Sequence, residues 1–392
     1  MAIAKVNDTP AENIGKANSV PIANVAKFGE VEAPVGGQTA TRWVAAHDGN
    51  GQDWYISYAS HSDRSSWSGT TVIDGDDPDT YWLAYGKISG NNVWAAVTSS
   101  NNIEIAVDGN NDVTDGSTWS KISKDSSNED LQKCRTIAWG NDVWIAMGHM
   151  ASGHRELYRS TDAASWAEID LSSVVGNATQ TVYGLAYGGG SLFVFGQHNK
   201  LFGSVDSGAT WAEISSYPGA VVCDVGVTNN TLVVLDAGTP GQINTAAISA
   251  IETELNGGSN SAWGTQELTD SSNQSITTGT SGNTRSTMAC GAGVAIVAHT
   301  TNTMALDVDG TTVSVRASGK VAVGSNNVIS NSINTIATDG NGVWLVGSDG
   351  SGGGDVAQST DNGANWTQIV DGFNYEGDRK FEAIRANVHL PV

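Results

Sequence analysis

Ile336-Ala337-Thr338-Asp339-Gly340-Asn341-Gly342-Val343-Trp344-Leu345-Val346-Gly347 is two short apolar runs split by a turn of Asp, Gly and Asn. Those turn residues accept left-handed backbone, so the runs read as neighbouring antiparallel strands. The phrase returns at Leu185-Ala186-Tyr187-Gly188-Gly189-Gly190-Ser191-Leu192-Phe193-Val194-Phe195-Gly196. Seven copies occur, each followed by a polar stretch that often ends in Trp. Their first strands are expected to begin near Arg42, Tyr81, Thr136, Val182, Val221, Thr287 and Ile333, with an eighth first-strand phrase over Phe381–Val388.

The starts lie about 40–65 residues apart, near the period of propeller blades of four strands each. Long stretches of period 3.6 are missing, and the 47 glycines break the apolar runs into strand-sized pieces. The expectation is an all-β chain: a single β-propeller of seven four-stranded blades over residues 39–392, preceded by an extended arm over 1–38. The eighth phrase would tie the C-terminus to the first blade and so remove an open sheet edge. Six blades is the alternative count, because the fifth and sixth repeats are degenerate. The fifth carries an insertion around Ala246–Ser259, read as the only helical turn or two; the sixth has no Trp.

The arm has its own period. Ile3-Ala4-Lys5-Val6-Asn7, Ile14-Gly15-Lys16-Ala17-Asn18 and Val25-Ala26-Lys27-Phe28-Gly29 repeat every 11 residues, with Pro10, Pro21 and Pro34 between them. Regular prolines exclude a continuous helix. The segment has too little apolar mass to fold alone. Ile3, Lys5, Ile14, Lys16, Ile22, Val25 and Lys27 are therefore expected to dock on a partner.

A net charge of −22 repels phosphate backbones and anionic surfaces, so no nucleic-acid partner is expected. No run approaches a membrane span, so no membrane insertion is expected. Met1–Ser19 lacks the apolar core of a secretory leader, so a protein working outside a cell is expected to leave without a cleaved leader, host lysis being one such route. Cys134, Cys223 and Cys290 are far apart and sit among small apolar residues, as buried thiols would.

Within the repeats, Ser204-Val205-Asp206-Ser207-Gly208-Ala209-Thr210-Trp211 and Ser359-Thr360-Asp361-Asn362-Gly363-Ala364-Asn365-Trp366 both read S-x-D-x-G-x-x-W. Ser160-Thr161-Asp162-Ala163-Ala164-Ser165-Trp166 and His61-Ser62-Asp63-Arg64-Ser65-Ser66-Trp67 are one residue shorter, and Asp112–Trp119 shifts the acid. Ser and Asp can bond turn amides, Gly takes backbone that other residues resist, and Trp covers the hairpin. The motif resembles the Asp box of sialidases and of many non-enzymatic propellers. The resemblance implies a structural corner between third and fourth strands, away from any catalytic centre.

Sialidase chemistry, as that resemblance implies, needs three arginines on the substrate carboxylate, with a Tyr nucleophile paired to a Glu and an acidic general acid. Here Arg42, Arg64, Arg135, Arg155, Arg159, Arg285, Arg316, Arg379 and Arg385 are scattered and lack the family's arginine phrase. The seven histidines show no metal spacing, and no nucleophile elbow or phosphate loop is present. No cofactor is expected. Asp74, Asp76, Asp77 and Asp79 are weak calcium candidates, as is the loop from Asp108 through Asp112 to Asp115, and both are read first as solvated turns. Trp residues at repeat-equivalent positions point to packing between blades.

The arm is similar to the lysine-containing repeats at the N-termini of structural proteins of marine and cyanobacterial tailed phages. That resemblance covers about a tenth of the chain. It implies a non-enzymatic virion component (tail, fibre or capsid surface), with other virion proteins and copies of itself as partners. A carbohydrate- or receptor-binding propeller, with a host-surface glycan as ligand, is the alternative; a glycoside hydrolase is the less favoured one.

Overall fold

The computed structural model describes residues 5–6, 9–10, 16–17, 20–21, 42–47, 54–72, 80–98, 102–107, 119–131, 134–148, 156–175, 182–269, 278, 287–299, 302–320, 332–348, 354–373 and 381–387. The chain divides into two units, Met1–Gln38 and Thr39–Val392. In the first, Lys5–Val6 pairs antiparallel with Thr9–Pro10, and Lys16–Ala17 pairs with Val20–Pro21 in the same register. The two ladders stand 11 residues apart, the period of the sequence repeat. Ile3, Ile14, Ile22, Val25 and Lys27 lie outside the described residues, as do Asp74, Asp76, Asp77, Asp79, Asp108, Asp112 and Asp115.

The second unit is a ring of seven four-stranded antiparallel sheets. Blade 1 is composite. Its innermost strand is the C-terminal Phe381–Ala386, followed outward by Arg42–His47, Trp54–Ser60 and Ser68–Val72. The innermost strands of blades 2 to 7 are Thr80–Ile88, Cys134–Gly140, Val182–Gly189, Val221–Thr228, Thr287–Gly291 and Ile333–Thr338. Each lies against the next, and Phe381–Ala386 lies against both Thr80–Ile88 and Ile333–Thr338, closing the ring.

This corrects the expected frame of blade 1. Arg42–His47 is a second strand, not a first, and Trp54 is on a third strand. The fifth and sixth repeats each form a complete sheet, which removes the six-blade count. Blade 5 replaces its outer corner with a helix, Ile248–Leu255, that buries Ile248 and Ile251. A second helical turn, Ser172–Val175, means that this helix is not the only one.

The core consists of seven hydrophobic clusters among the described residues, one at each junction between adjacent blades. Trp43, Trp94, Trp144 and Trp344 take the same place on four second strands and are fully buried. Each fills the wedge toward the preceding blade: Trp94 packs with Val44 and Ala46 of blade 1, and Trp144 with Val93 and Ala95 of blade 2. Apolar side chains wedged between sheets make the ring one cooperative body. Cys134, Cys223 and Cys290 are buried and form no disulfide, and burial pushes the Cys134 thiol up to about 12.

Candidate functional site

The S-x-D-x-G-x-x-W segments occupy the connections from third to fourth strand. In blade 4 the Ser204 hydroxyl donates to Asp206 Oδ1 at 2.7 Å and accepts from the Gly208 amide at 2.8 Å. Asp206 also accepts from the Thr210 amide and hydroxyl at 2.8 and 2.6 Å. Trp211 Nε1 donates to the Gly208 carbonyl at 3.1 Å. Blade 7 repeats the Ser and Asp bonds: Ser359 serves Asp361 and the Gly363 amide, and Asp361 holds Asn365 by its amide and side chain, whereas Trp366 Nε1 is buried without a partner among the described residues. In blade 3, Asp162 takes the Ala164 and Ser165 amides, and Trp166 Nε1 reaches the Ala163 carbonyl.

Partial burial works to raise all three aspartates, but the converging donors outweigh it and hold them below the usual carboxylate range. In blade 1 the hydroxyl of this corner belongs to Ser60, which accepts from the Asp63 amide at 2.9 Å; the expected phrase starting at His61 missed it. In blade 2 the residues from Asp112 to Thr118 lie outside the described residues; Trp119 is buried.

The corners bind the ring together. Arg159 Nε of blade 3 donates to the Ser207 carbonyl of blade 4 at 2.8 Å, and Asn141 Nδ2 to the Ser207 hydroxyl at 2.9 Å. A Cβ on Gly208 would stand 2.3 Å from Ile145 Cδ1 of blade 3, and the glycine is at φ +81°. Across the closure, His61 Nε2 meets Asp339 Oδ2 at 2.9 Å, and Arg64 Nε donates to Gln358 Oε1 at 2.8 Å. The corner Ser, Asp, Gly and Trp residues are thus engaged with neighbouring chain rather than turned to a common cleft. Lys5 and Lys16 lie in the two short ladders of the first unit.

At the opposite end of the blades lies a second polar layer, which sequence reading missed. Asp236 is the penultimate residue of the second strand of blade 5 and is 1% exposed. The Tyr217 hydroxyl donates to its Oδ1, and Asn244 Nδ2 donates to Oδ2 at 2.5 Å. Thr265 Oγ1 donates to Asn244 Oδ1 at 2.7 Å. Burial pushes Asp236 up to about 6 against the pull of Tyr217, the Ala220 amide and Asn244. Burial and the Asp236 charge push the Tyr217 phenol up as well. The equivalent slots in blades 1, 2, 4 and 7 hold His47, Thr98, Gln197 and Ser348, all buried. A polar residue ending an apolar run was the only signal in the sequence.

Beside this layer, Glu254 of the blade 5 helix accepts from the Ser216 amide at 3.0 Å, the Ser216 hydroxyl at 2.5 Å and the Ser261 amide at 2.9 Å. Partial burial would raise its pKa, but the bonds from Ser216 and Ser261 take it down to about 2. Trp263 Nε1 donates to the Ser216 hydroxyl at 2.9 Å. The helix is thereby clamped to blade 4.

Arg64, Arg159, Arg316 and Arg385 do not converge. Arg64 and Arg159 serve corners in two blades, and Arg316 pairs with Asp307 on the outer strands of blade 6. Arg385, on the innermost strand of blade 1, donates through Nη1 to the Ile384 and Ile336 carbonyls at 2.8 and 3.4 Å; its guanidinium lies 4.4 Å from the centre of the Trp82 ring. Among the described residues no group of three His, Cys, Asp or Glu could hold a metal ion, and the only exposed large hydrophobic side chain is Val315.

Seven four-stranded blades closed by a C-terminal inner strand define a β-propeller. Apo AztD from Citrobacter koseri is similar, with a TM-score of 0.53 and 10% identity, covering 89% of this chain and 98% of that one. The RRP9 WD40 repeats give a TM-score of 0.51 at 10% identity, over 78% of this chain and 83% of that one. At that identity the likeness carries the fold alone. No protein-family model and no curated protein matches the chain.

Proposed function

We propose that the chain is a non-enzymatic structural protein of a tailed-phage virion: a displayed propeller joined to other virion proteins through its N-terminal arm. The observation that carries this reading is the arm itself. It forms a unit apart from the propeller, and its 11-residue sequence repeat coincides with a ladder of the same register made twice. Repeated short two-stranded ladders suit docking by strand addition. In this reading the partners are virion proteins and further copies of the chain, and the place of action is the particle.

The propeller supports a structural role. The corner carboxylates hold turns, the described arginines are dispersed, and Asp236 is enclosed by its own donors. We read the corners as Asp boxes in their structural sense. A glycan-binding role on one face fits less well, because among the described residues no aromatic side chain is exposed as a platform.

The test is deletion of residues 1–38, followed by quantification of the protein in purified particles and by thermal unfolding of the isolated protein. Loss of incorporation with an unchanged unfolding transition is expected. Full incorporation of the truncated protein would overturn the docking role. Absence of the intact protein from particles would overturn the virion reading.

A further inference from the structure

Arg385 breaks the pattern of the ring. It pairs across the ladder with Val44, the residue after Trp43. The same slot on the other six innermost strands holds Ala84, Ala138, Ala186, Gly226, Ala289 and Ala337. Small residues are expected where blades converge toward the axis, because there is no room for larger ones in every blade. One arginine among seven such positions occupies the space that the six small residues leave.

Its guanidinium is fixed from two sides. Nη1 is tied to carbonyls of blades 1 and 7, and the plane is covered by Trp82 of blade 2. The remaining edge, formed by Nε and Nη2, meets no protein acceptor among the described residues. Those two N–H groups point the same way at the spacing of carboxylate oxygens. Elsewhere in the chain Arg316 uses that same edge on Asp307 Oδ1, at 2.8 and 2.5 Å. Burial lowers the Arg385 pKa to about 10, with the charge of Asp224 opposing, so the group stays cationic at neutral pH. A half-buried cation with an open donor edge gains from a counter-anion.

We propose that the Nε–Nη2 edge of Arg385 binds a carboxylate group of a ligand at the inner rim of blades 1, 2 and 7, flanked by Trp82, Ala84 and Ala337. A single fork with an aromatic wall suits a planar monoanion. A phosphate dianion is disfavoured by a chain of net charge −22. This site does not depend on the virion reading.

The full-length protein is titrated with N-acetylglycine, which mimics a peptide C-terminus, and with glucuronate, an acidic sugar. N-acetylglycinamide and glucose serve as uncharged matches. Binding is read by calorimetry and by the NMR signal of the Arg385 Nε–H group, identified by its loss in Arg385→Lys. Saturable movement of that signal by a carboxylate and not by its uncharged match is expected, with affinity at least tenfold weaker in Arg385→Lys. The tighter of the two acids names the source. Ala84→Leu, which fills the neighbouring slot and keeps the arginine, is expected to abolish the response. An unmoved Arg385 signal in the wild-type protein, equal binding of the uncharged matches, or undiminished binding by folded Arg385→Lys would each overturn the site.

Discussion

At the scale of single residues, the chain spends its side-chain chemistry on turns. Gly208 shows the two constraints that a corner position meets: a left-handed backbone and an apolar atom of the next blade where a Cβ would go. Gly208→Ala is expected to cost about 2 kcal/mol or more, from backbone conformation and from the clash with Ile145. Chemical denaturation checks this, with Gly257→Ala as the comparison that has the same backbone sign but open space around it. Asp236 yields a pH signature instead. Its folded pKa of about 6 lies above the ordinary 3.8, so folding favours the protonated acid. That share of stability is fully present below about pH 4 and is lost as pH rises through about 6, on the order of 3 kcal/mol. Asp236→Asn keeps an acceptor for Tyr217 and should flatten the denaturation midpoint across that window. A window unchanged in the variant would show that another group carries it. The corner residues were legible in the sequence because their chemistry is local, with every partner within four positions. Ser60 was not, because one inserted residue shifts it from its aspartate. The bond of Tyr217 to Asp236 spans a strand connection that no local pattern encodes.

At the scale of elements, the repeated second strand sets the packing. Val143-Trp144-Ile145-Ala146-Met147-Gly148 and Val343-Trp344-Leu345-Val346-Gly347-Ser348 place Trp at the same point, and it fills the wedge toward the preceding blade. Trp144→Ala is expected to cost about 3–5 kcal/mol, read as a lowered unfolding midpoint. Trp263→Ala, at a half-buried position on the margin of the blade 4–5 cluster, should cost clearly less. Equal losses would mean that the wedge is not the main packing element. The same alignment explains the misplaced frame of blade 1. Arg42-Trp43-Val44-Ala45-Ala46-His47 matches the second-strand phrase, down to the polar residue that ends it. Position in the chain suggested a first strand, because the true one lies more than three hundred residues away. Strand count and blade count were legible from periodicity; the helix inside the blade 5 insertion was legible too, but not that it takes the place of a strand-to-strand corner.

At the scale of the whole molecule, stability depends on closing the ring, and closure rests on one strand. Phe381 and Ile384 are fully buried, Ala383 and Ala386 nearly so, and the strand pairs with Arg42–His47 along its length. It also carries two ties to blade 7: the Ile384 amide donates to Thr335 Oγ1 at 3.1 Å, and Arg385 reaches the Ile336 carbonyl. Burying that apolar surface contributes roughly 5 kcal/mol, which is comparable to the whole margin of an ordinary fold. Its removal would also strip the cover from Trp43 and Ala45 and leave the edge of Arg42–His47 unpaired, a template for another chain. A chain ending at residue 380 should therefore lose the single cooperative unfolding transition and self-associate on size-exclusion chromatography. Adding a peptide of residues 381–392 should restore both the monomer and the transition, because the missing strand makes only noncovalent contacts with blades 7, 1 and 2. A truncated chain that stayed monomeric and melted as the full one does would mean that seven blades hold their curvature without the closing strand. The wedge clusters, rather than closure, would then be the main source of the ring's stability.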